Sequence, residues 1–171
     1  MTLGKENTFM KPDTWKELED YYAEFPRSRA VGVEVPEIQA AADTLGVVFP
    51  EDYRAFLTRY GGGNVGSYYL AGLRRWESAP NDAWNVIDQT MHFRNQKWPG
   101  TENWAIFTAD GSGNPIGFDD QGRIWLSDHD SHEFVGLEVS FELWIRCWAT
   151  ELDAGSDKYF AQLDWPTAKE A

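Results

Sequence analysis

Residues 45–63 read Leu-Gly-Val-Val-Phe-Pro-Glu-Asp-Tyr-Arg-Ala-Phe-Leu-Thr-Arg-Tyr-Gly-Gly-Gly. Pro50 followed by two acidic residues predicts the start of a helix, because carboxylates stabilise the positive end of the helix dipole. The apolar residues that follow recur at helical spacing and predict a buried stripe formed by Tyr53, Phe56, Leu57 and Tyr60. The run 61–63 of three glycines ends the helix and lets the chain turn sharply.

Two more helices are predicted before this stretch. Thr14 and Glu17 have the spacing of a capping box, in which the hydroxyl and the carboxylate each accept a hydrogen bond from a free backbone amide. The apolar face of this first helix consists of Trp15, Leu18, Tyr22 and Phe25. Pro26 ends it, because proline has no amide to donate and clashes with the preceding turn.

The second helix is predicted to open at Pro36, a residue suited to the first position of a helix. Its inner face consists of Ile38, Ala41, Ala42 and Leu45. Gly46 follows as a left-handed cap at the C-terminal end.

The centre of the chain predicts strands. Residues 65–73 indicate one strand, whereas residues 86–94 also suit a short helix. Three further strands are predicted at 104–108, 115–118 and 123–127. The two segments between these strands are rich in Asp, Asn and Gly, which tolerate positive φ angles, so the pattern is typical of an antiparallel meander.

Ser140 predicts the cap of a C-terminal helix. Its apolar face consists of Phe141, Trp144, Ile145 and Trp148. A weaker helix is predicted from Ser156. Helices, then strands, then helices predict an α+β fold in which an antiparallel β-sheet, a meander, is flanked by N-terminal helices and a C-terminal helix. A length of 171 residues, 15% of them aromatic, fits one folded domain over residues 1–171 and excludes simple disorder.

Negative charge is concentrated in the C-terminal part of the chain. The net charge is −13; residues 1–100 hold 14 acids and 11 bases, and residues 101–171 hold 14 acids and four bases. Such a field repels nucleic acid and anionic membranes and attracts basic partners. It also serves solubility alone, so both readings stay open. The lone Cys147 and the absence of an apolar run of about 18 residues lead us to expect a cytoplasmic protein.

No pattern of catalytic residues stands out. His129 and His132 could belong to a metal-dependent hydrolase, but a zinc site needs further ligands that their spacing does not supply. The segment that begins at Asp110 starts like a calcium loop and fails at Pro115 and Gln121, where glycine and glutamate are required. A pair of carboxylates acting as in a glycosidase is the other enzymatic alternative. We therefore predict no catalytic residues, no metal and no cofactor.

The stretch 45–63 resembles the SUKH superfamily, the Smi1/Knr4-like domain, in its Leu-Gly, Pro-x-x-Tyr, Phe-Leu and Gly-Gly motifs. Residues 106–119, Ile-Phe-Thr-Ala-Asp-Gly-Ser-Gly-Asn-Pro-Ile-Gly-Phe-Asp, resemble its second motif, with Asn114 where aspartate is frequent. Residues 122–130 resemble the strand that follows, and residues 140–145 are similar to the family's C-terminal helix. The resemblance covers about residues 13–150 and leaves Gly66–Trp104 unassigned.

The resemblance implies a protein that binds another protein rather than an enzyme. Bacterial members of the family look like immunity proteins that bind and neutralise a cognate toxin of a polymorphic, contact-dependent or secreted effector system. The toxin would be basic, as nucleases are, and the complex one-to-one or, if this chain forms a homodimer, two-to-two. The alternative is a regulatory scaffold of the fungal kind. We expect the docking face among acids on the turns of the meander, although each also suits an ordinary turn: Asp110, Asp119, Asp120, Asp128, Asp130 and Glu133.

Overall fold

A computed structural model describes residues 10–146 and confirms the α+β class, with N-terminal helices, two antiparallel sheets and a short C-terminal helix. The helices are α1 (Pro12–Glu24), α2 (Val35–Leu45), α3 (Glu51–Tyr60), α4 (Val86–Asn95) and α5 (Phe141–Trp144), with 3₁₀ turns at Pro26–Ser28 and Thr101–Asn103. The strands are β1 (Gly63–Val65), β2 (Tyr68–Leu70), β3 (Ala105–Ala109), β4 (Pro115–Phe118), β5 (Ile124–Asp128) and β6 (Glu133–Gly136).

The second and third helices form where their apolar spacing predicts them. All four residues of the predicted inner face of α2 are buried, and Gly46 closes that helix with φ +68°. The predicted stripe of α3 is buried as well. Gly61 ends α3 with φ +69°, and a Cβ atom there would overlap the Val31 carbonyl oxygen, so this position requires glycine for two reasons.

The predicted capping box of the first helix is wrong. The helix begins at Pro12, two residues before Thr14, because proline suits the first position of a helix. The hydroxyl of Thr14 donates to Oε1 of Glu142, at 2.6 Å, and the amide of Lys11 donates to the same oxygen at 2.7 Å. The start of α1 is thus held by a carboxylate from α5.

The start of α5 is held in turn by α3. The predicted cap Ser140 is confirmed, since its Oγ accepts from the amide of Leu143, and Oδ2 of Asp52 accepts from the amide of Glu142 at 2.9 Å. Burial raises the pKa of Asp52 against the opposing effect of the hydrogen bonds that its carboxylate accepts from the amides of Glu142 and Tyr53. Burial of this carboxylate therefore lowers the free energy of unfolding at pH values above the raised pKa. The cost disappears below the ordinary pKa of aspartate, where the group is protonated in both states.

The four-stranded sheet has the order β3-β4-β5-β6 with every neighbouring pair antiparallel, so the predicted meander is confirmed. Its fourth strand, β6, was not predicted, because three of its four residues are exposed and no alternation marks it. The single strand predicted at 65–73 is instead the hairpin of β1 and β2, which turns at Gly66 with φ +59°. The ambiguous segment 86–94 is helix α4, capped by the side chain of Asn85.

The two faces of this sheet pack differently. Phe107 and Phe118 lie on the inner face and contact Tyr53 of α3 in the main core. On the outer face, Trp104 and Ile106 form a second buried cluster with Phe93 of α4. Helix α4 contacts β3 and leaves part of β5 and β6 uncovered by the described residues.

No helix within residues 10–146 has the length and apolar character needed to cross a membrane. The predictions made for Cys147, for Trp148 and for a helix from Ser156 concern residues outside the described part of the chain.

Candidate protein-docking site

The six acidic residues singled out in the sequence lie at two opposite ends of the four-stranded sheet. Antiparallel pairing brings the β3–β4 turn and the β5–β6 turn to one end, which we call the histidine end (residues 110–114 and 128–133). The β4–β5 turn lies at the other end, the tryptophan end (residues 119–125). The histidine end holds Asp110, Asp128, Asp130 and Glu133, and the tryptophan end holds Asp119 and Asp120. Glu133 is the first residue of β6 rather than a turn residue.

The histidine end is organised by hydrogen bonds between its two turns. Oδ1 of Asp110 accepts from the amides of Ser112 and Asn114, both at 2.9 Å. The side chain of Asn114 donates to Asp110, and its oxygen accepts from the amide of His129 and lies 2.6 Å from Nδ1 of the same histidine. On the other side, Nε2 of His129 lies 3.1 Å from the exposed carboxylate of Asp130. Asp110 and Asn114 thus shape the loop, whereas Asp130 faces solvent.

Asp128 shapes the second turn of the same end. Its Oδ1 accepts from the amide of Asp130 at 2.9 Å. This bond, together with hydrogen bonds from Ser131, lowers the pKa of Asp128. The carboxylate is therefore charged at neutral pH and is held in place by its own loop.

Asp119 holds the tryptophan end together. Only 7% of the residue is exposed. Its Oδ1 accepts from the amides of Gln121 and Arg123, and its Oδ2 accepts from Nε of Arg123 at 2.8 Å and from the indole Nε1 of Trp125 at 3.0 Å. Burial acts to raise the pKa of Asp119, but these hydrogen bonds outweigh it and leave the pKa lowered. This carboxylate thus maintains the turn.

The neighbouring pair Asp119 and Asp120 allows a matched test of this assignment. We expect Asp119→Ala to lower the free energy of unfolding by about 2 kcal/mol, because four donors lose their acceptor. Asp120→Ala, which removes an exposed carboxylate from the same turn, should change it by less than about 0.5 kcal/mol. Urea unfolding at pH 7 measures both; equal losses would contradict the assignment.

The lowered pKa of Asp119 also gives a pH dependence with a defined sign. The native state favours the charged form of Asp119. The contribution of this carboxylate to the free energy of unfolding is therefore complete above the pKa of an unfolded aspartate, about 3.9, and is lost as the pH falls through the lowered pKa of the native state. The gap between the native chain and Asp119→Ala should therefore shrink on acidification below about pH 4.

An aromatic groove lies beside Asp119 on the outer face of the sheet. Its volume is about 380 Å³. Its floor is Trp104, Trp125 and Phe134, from three different strands or strand starts. The indole rings of Trp104 and Trp125 stack with centroids 6.1 Å apart, and the ring of Phe134 contacts both edge-on, at 5.7 and 5.6 Å. The rim carries Glu102 and Asp120, both exposed.

Arg94 fixes one wall of the groove. Its guanidinium donates to three backbone carbonyls: Leu45 at 3.0 Å, Thr101 at 3.2 Å and Trp104 at 2.8 Å. These bonds join the end of α2 to the 3₁₀ turn and to the start of β3. Burial lowers the pKa of Arg94, yet an arginine stays charged at neutral pH.

A second groove, of about 490 Å³, lies among the N-terminal helices and includes Trp15 and Val35 in its lining. Its two arginines already have partners within the chain. Arg54 donates to Gln39, and Arg59 pairs with Glu19 and lies over the ring of Trp15. This mixed-charge surface is a weaker candidate for a basic partner than the aromatic groove with its acidic rim.

The acidic residues of the tryptophan end are visible in the sequence, whereas the aromatic groove is not. Trp104, Trp125 and Phe134 look like separate apolar residues of predicted strands or loops, and only the strand register places them together. Within residues 10–146, no group of three or more His, Cys, Asp or Glu side chains is arranged to hold a metal ion.

A comparison with models of protein families matches residues 32–147 to the SMI1 / KNR4 family (SUKH-1). The match begins after α1 and includes Gly66–Trp104, the segment that the sequence motifs left unassigned. A comparison with curated proteins found no match.

Proposed function

Because well over half of the chain matches the family's model, this protein belongs to the SMI1 / KNR4 family (SUKH-1), and we propose that it is an immunity protein. It binds a cognate toxin of a polymorphic, contact-dependent or secreted effector system and neutralises it by occlusion, without catalysis. The toxin is basic, for example a nuclease whose substrate is polyanionic. The protein acts in the cytoplasm, where such a toxin would do its damage.

The observation that carries the proposal is the charge of the sheet region. Residues 101–146 hold nine acidic side chains and two basic ones. Of the six predicted docking acids, Asp120, Asp130 and Glu133 are exposed, and they lie on both ends of the same sheet. Exposed acids of one sign accelerate association with a basic protein, and apolar contacts then hold the complex.

The test is co-expression with the product of the adjacent gene. We expect rescue of growth when that product is toxic, and a complex that survives purification at about 0.5 M salt, where attraction between exposed charges is largely screened. A toxin from an unrelated system serves as the control and should be neither bound nor neutralised. If growth is not rescued and no salt-resistant complex forms, the immunity proposal is overturned. Several weak partners without neutralisation would instead favour the regulatory scaffold.

A further inference from the structure

The aromatic groove offers an apolar surface that is already ordered. Phe134 is 49% exposed, although its ring contacts both tryptophans. Two glycines leave room for this packing. A Cβ atom at Gly136 would lie 3.3 Å from the Trp125 ring, and one at Gly100 would lie 2.7 Å from Trp104 and 3.0 Å from Phe134. Rings held in this way lose little freedom when a partner covers them, which favours binding.

The groove also shows which chemical group it accommodates. The guanidinium of Arg123 lies 5.6 Å from the centre of the Trp125 ring, and its Nε donates to Asp119 at 2.8 Å. One guanidinium is therefore held by an aromatic face and a carboxylate together, the combination that favours arginine over lysine.

Two acids on the rim remain available for a second cation. Within residues 10–146, neither Glu102 nor Asp120 forms an ion pair or a side-chain hydrogen bond. Both are exposed beside Phe134 and the two tryptophans, so the groove combines aromatic surface with two carboxylates that form no direct ion pair, although the charge of Glu102 also acts on Arg94. The histidine end also has two exposed acids, Asp130 and Glu133, but Asp130 lies 3.1 Å from His129 and neither acid lines the aromatic groove.

We propose that the aromatic groove is the docking site for the basic toxin, and that it receives an arginine side chain of that protein. The guanidinium stacks on the exposed ring of Phe134 and pairs with Asp120 and Glu102. This inference builds on the proposed function, because it assigns the site at which the toxin binds. Central aromatic anchors surrounded by a polar rim are the usual composition of an interface hot spot.

The first experiment measures binding of the adjacent gene's product to variants with matched controls. Phe134→Ala should raise Kd at least tenfold, mainly through faster dissociation. Val135→Ala, on the other face of the same exposed strand, should leave Kd within threefold. Asp120→Lys should slow association at low salt more than Glu133→Lys, an equal charge change at the histidine end. Unchanged melting temperatures establish that the exposed-site variants remain folded.

The opposite ranking would overturn the assignment. If Val135→Ala and Glu133→Lys weaken binding more than Phe134→Ala and Asp120→Lys, the partner docks elsewhere on the sheet. If none of the four matters, the partner binds another surface, such as the groove at Trp15.

A second experiment tests the groove without the toxin, so that failure of the immunity proposal can be told apart from failure of this one. The probe is acetyl-Arg-Arg-Arg-amide, titrated while the indole Nε1–H resonance of Trp125 is followed by NMR. We expect the resonance to shift and the shift to saturate as the peptide is added. The affinity obtained for the tri-lysine peptide should be at least threefold lower, and the shift should be lost in Phe134→Ala. Equal response to both peptides, or shifts confined to residues 110–114 and 128–133, would overturn the groove as an arginine site.

Discussion

Replacing Tyr53 by alanine is expected to lower the free energy of unfolding by about 4 kcal/mol, a large part of the stability of a typical domain. The residue has no exposed surface. Its ring lies at the centre of the main core, with neighbouring ring centroids between 4.8 and 6.4 Å away, and these neighbours are Phe49, Phe107, Phe118 and Phe141. Alanine would leave a cavity among four rings, which come from the segment before α3, from the sheet and from α5.

The matched variant Tyr53→Phe separates the ring from the hydroxyl. The hydroxyl donates to the carbonyl of Ala71 at 2.7 Å. Phenylalanine keeps the ring and leaves this buried carbonyl without that donor, so we expect a loss of about 1–2 kcal/mol. Urea unfolding followed by far-UV circular dichroism gives both values. A loss in Tyr53→Phe as large as that in Tyr53→Ala would mean that the hydrogen bond, and not the ring, holds the core.

Tyr53 also illustrates why much of the helical part could be predicted. Its spacing from Phe56, Leu57 and Tyr60 is a local signal, and the buried face of α3 follows from it directly. The ends of α2 and α3 were predictable from equally local signals, because Gly46 and Gly61 each take up a left-handed conformation next to the last helical turn. Three of the four meander strands were predicted for a similar reason, since Asp- and Gly-rich turns separate them.

The contacts between helix ends could not be predicted in this way. Thr14 and Glu142 are 128 residues apart, and Asp52 and Glu142 are 90 residues apart. No short sequence pattern indicates contacts over such distances. Thr14 has a glutamate at the right distance for a capping box, yet Pro12 starts the helix two residues earlier and the hydroxyl finds a distant partner. A local signature was therefore outweighed by tertiary packing.

The candidate site was predictable in its residue types and not in its arrangement. Acidic turn residues were visible in the sequence, whereas their division between two ends of the sheet follows from strand register. Asp119 was predicted as a docking acid, and the structure places it almost fully buried beneath Arg123 and Trp125. The pairing of Ser127 with Phe134 depends on β6, which lacks any alternating pattern, so the aromatic groove had no signal in the sequence.

Replacing Arg94 by methionine is expected to lower the free energy of unfolding by about 3 kcal/mol, the second largest loss we predict. Methionine keeps an unbranched stem of similar shape and removes the guanidinium. Three carbonyls, on Leu45, Thr101 and Trp104, then each lose a hydrogen bond at once, although Thr101 keeps the one from the amide of Trp104. Arg94→Lys should fall between the native chain and Arg94→Met, because a single ammonium group cannot reproduce the planar fork that reaches three separate oxygens.

The control is Arg75→Met, which removes an exposed guanidinium that donates only to Asn81 among the described residues 10–146 and should change stability by less than about 0.5 kcal/mol. Because Arg94 fixes the backbone at Trp104, we also expect Arg94→Met to change the near-UV circular dichroism of the stacked indoles before global unfolding, whereas Arg75→Met should not.

Two outcomes would contradict this role of Arg94. If Arg94→Met loses no more stability than Arg75→Met and the near-UV signal is unchanged, the groove wall is stable without this arginine. Preserved indole packing with a 3 kcal/mol loss would confine its role to joining α2 to the sheet, and the order of the aromatic groove would then depend on Asp119.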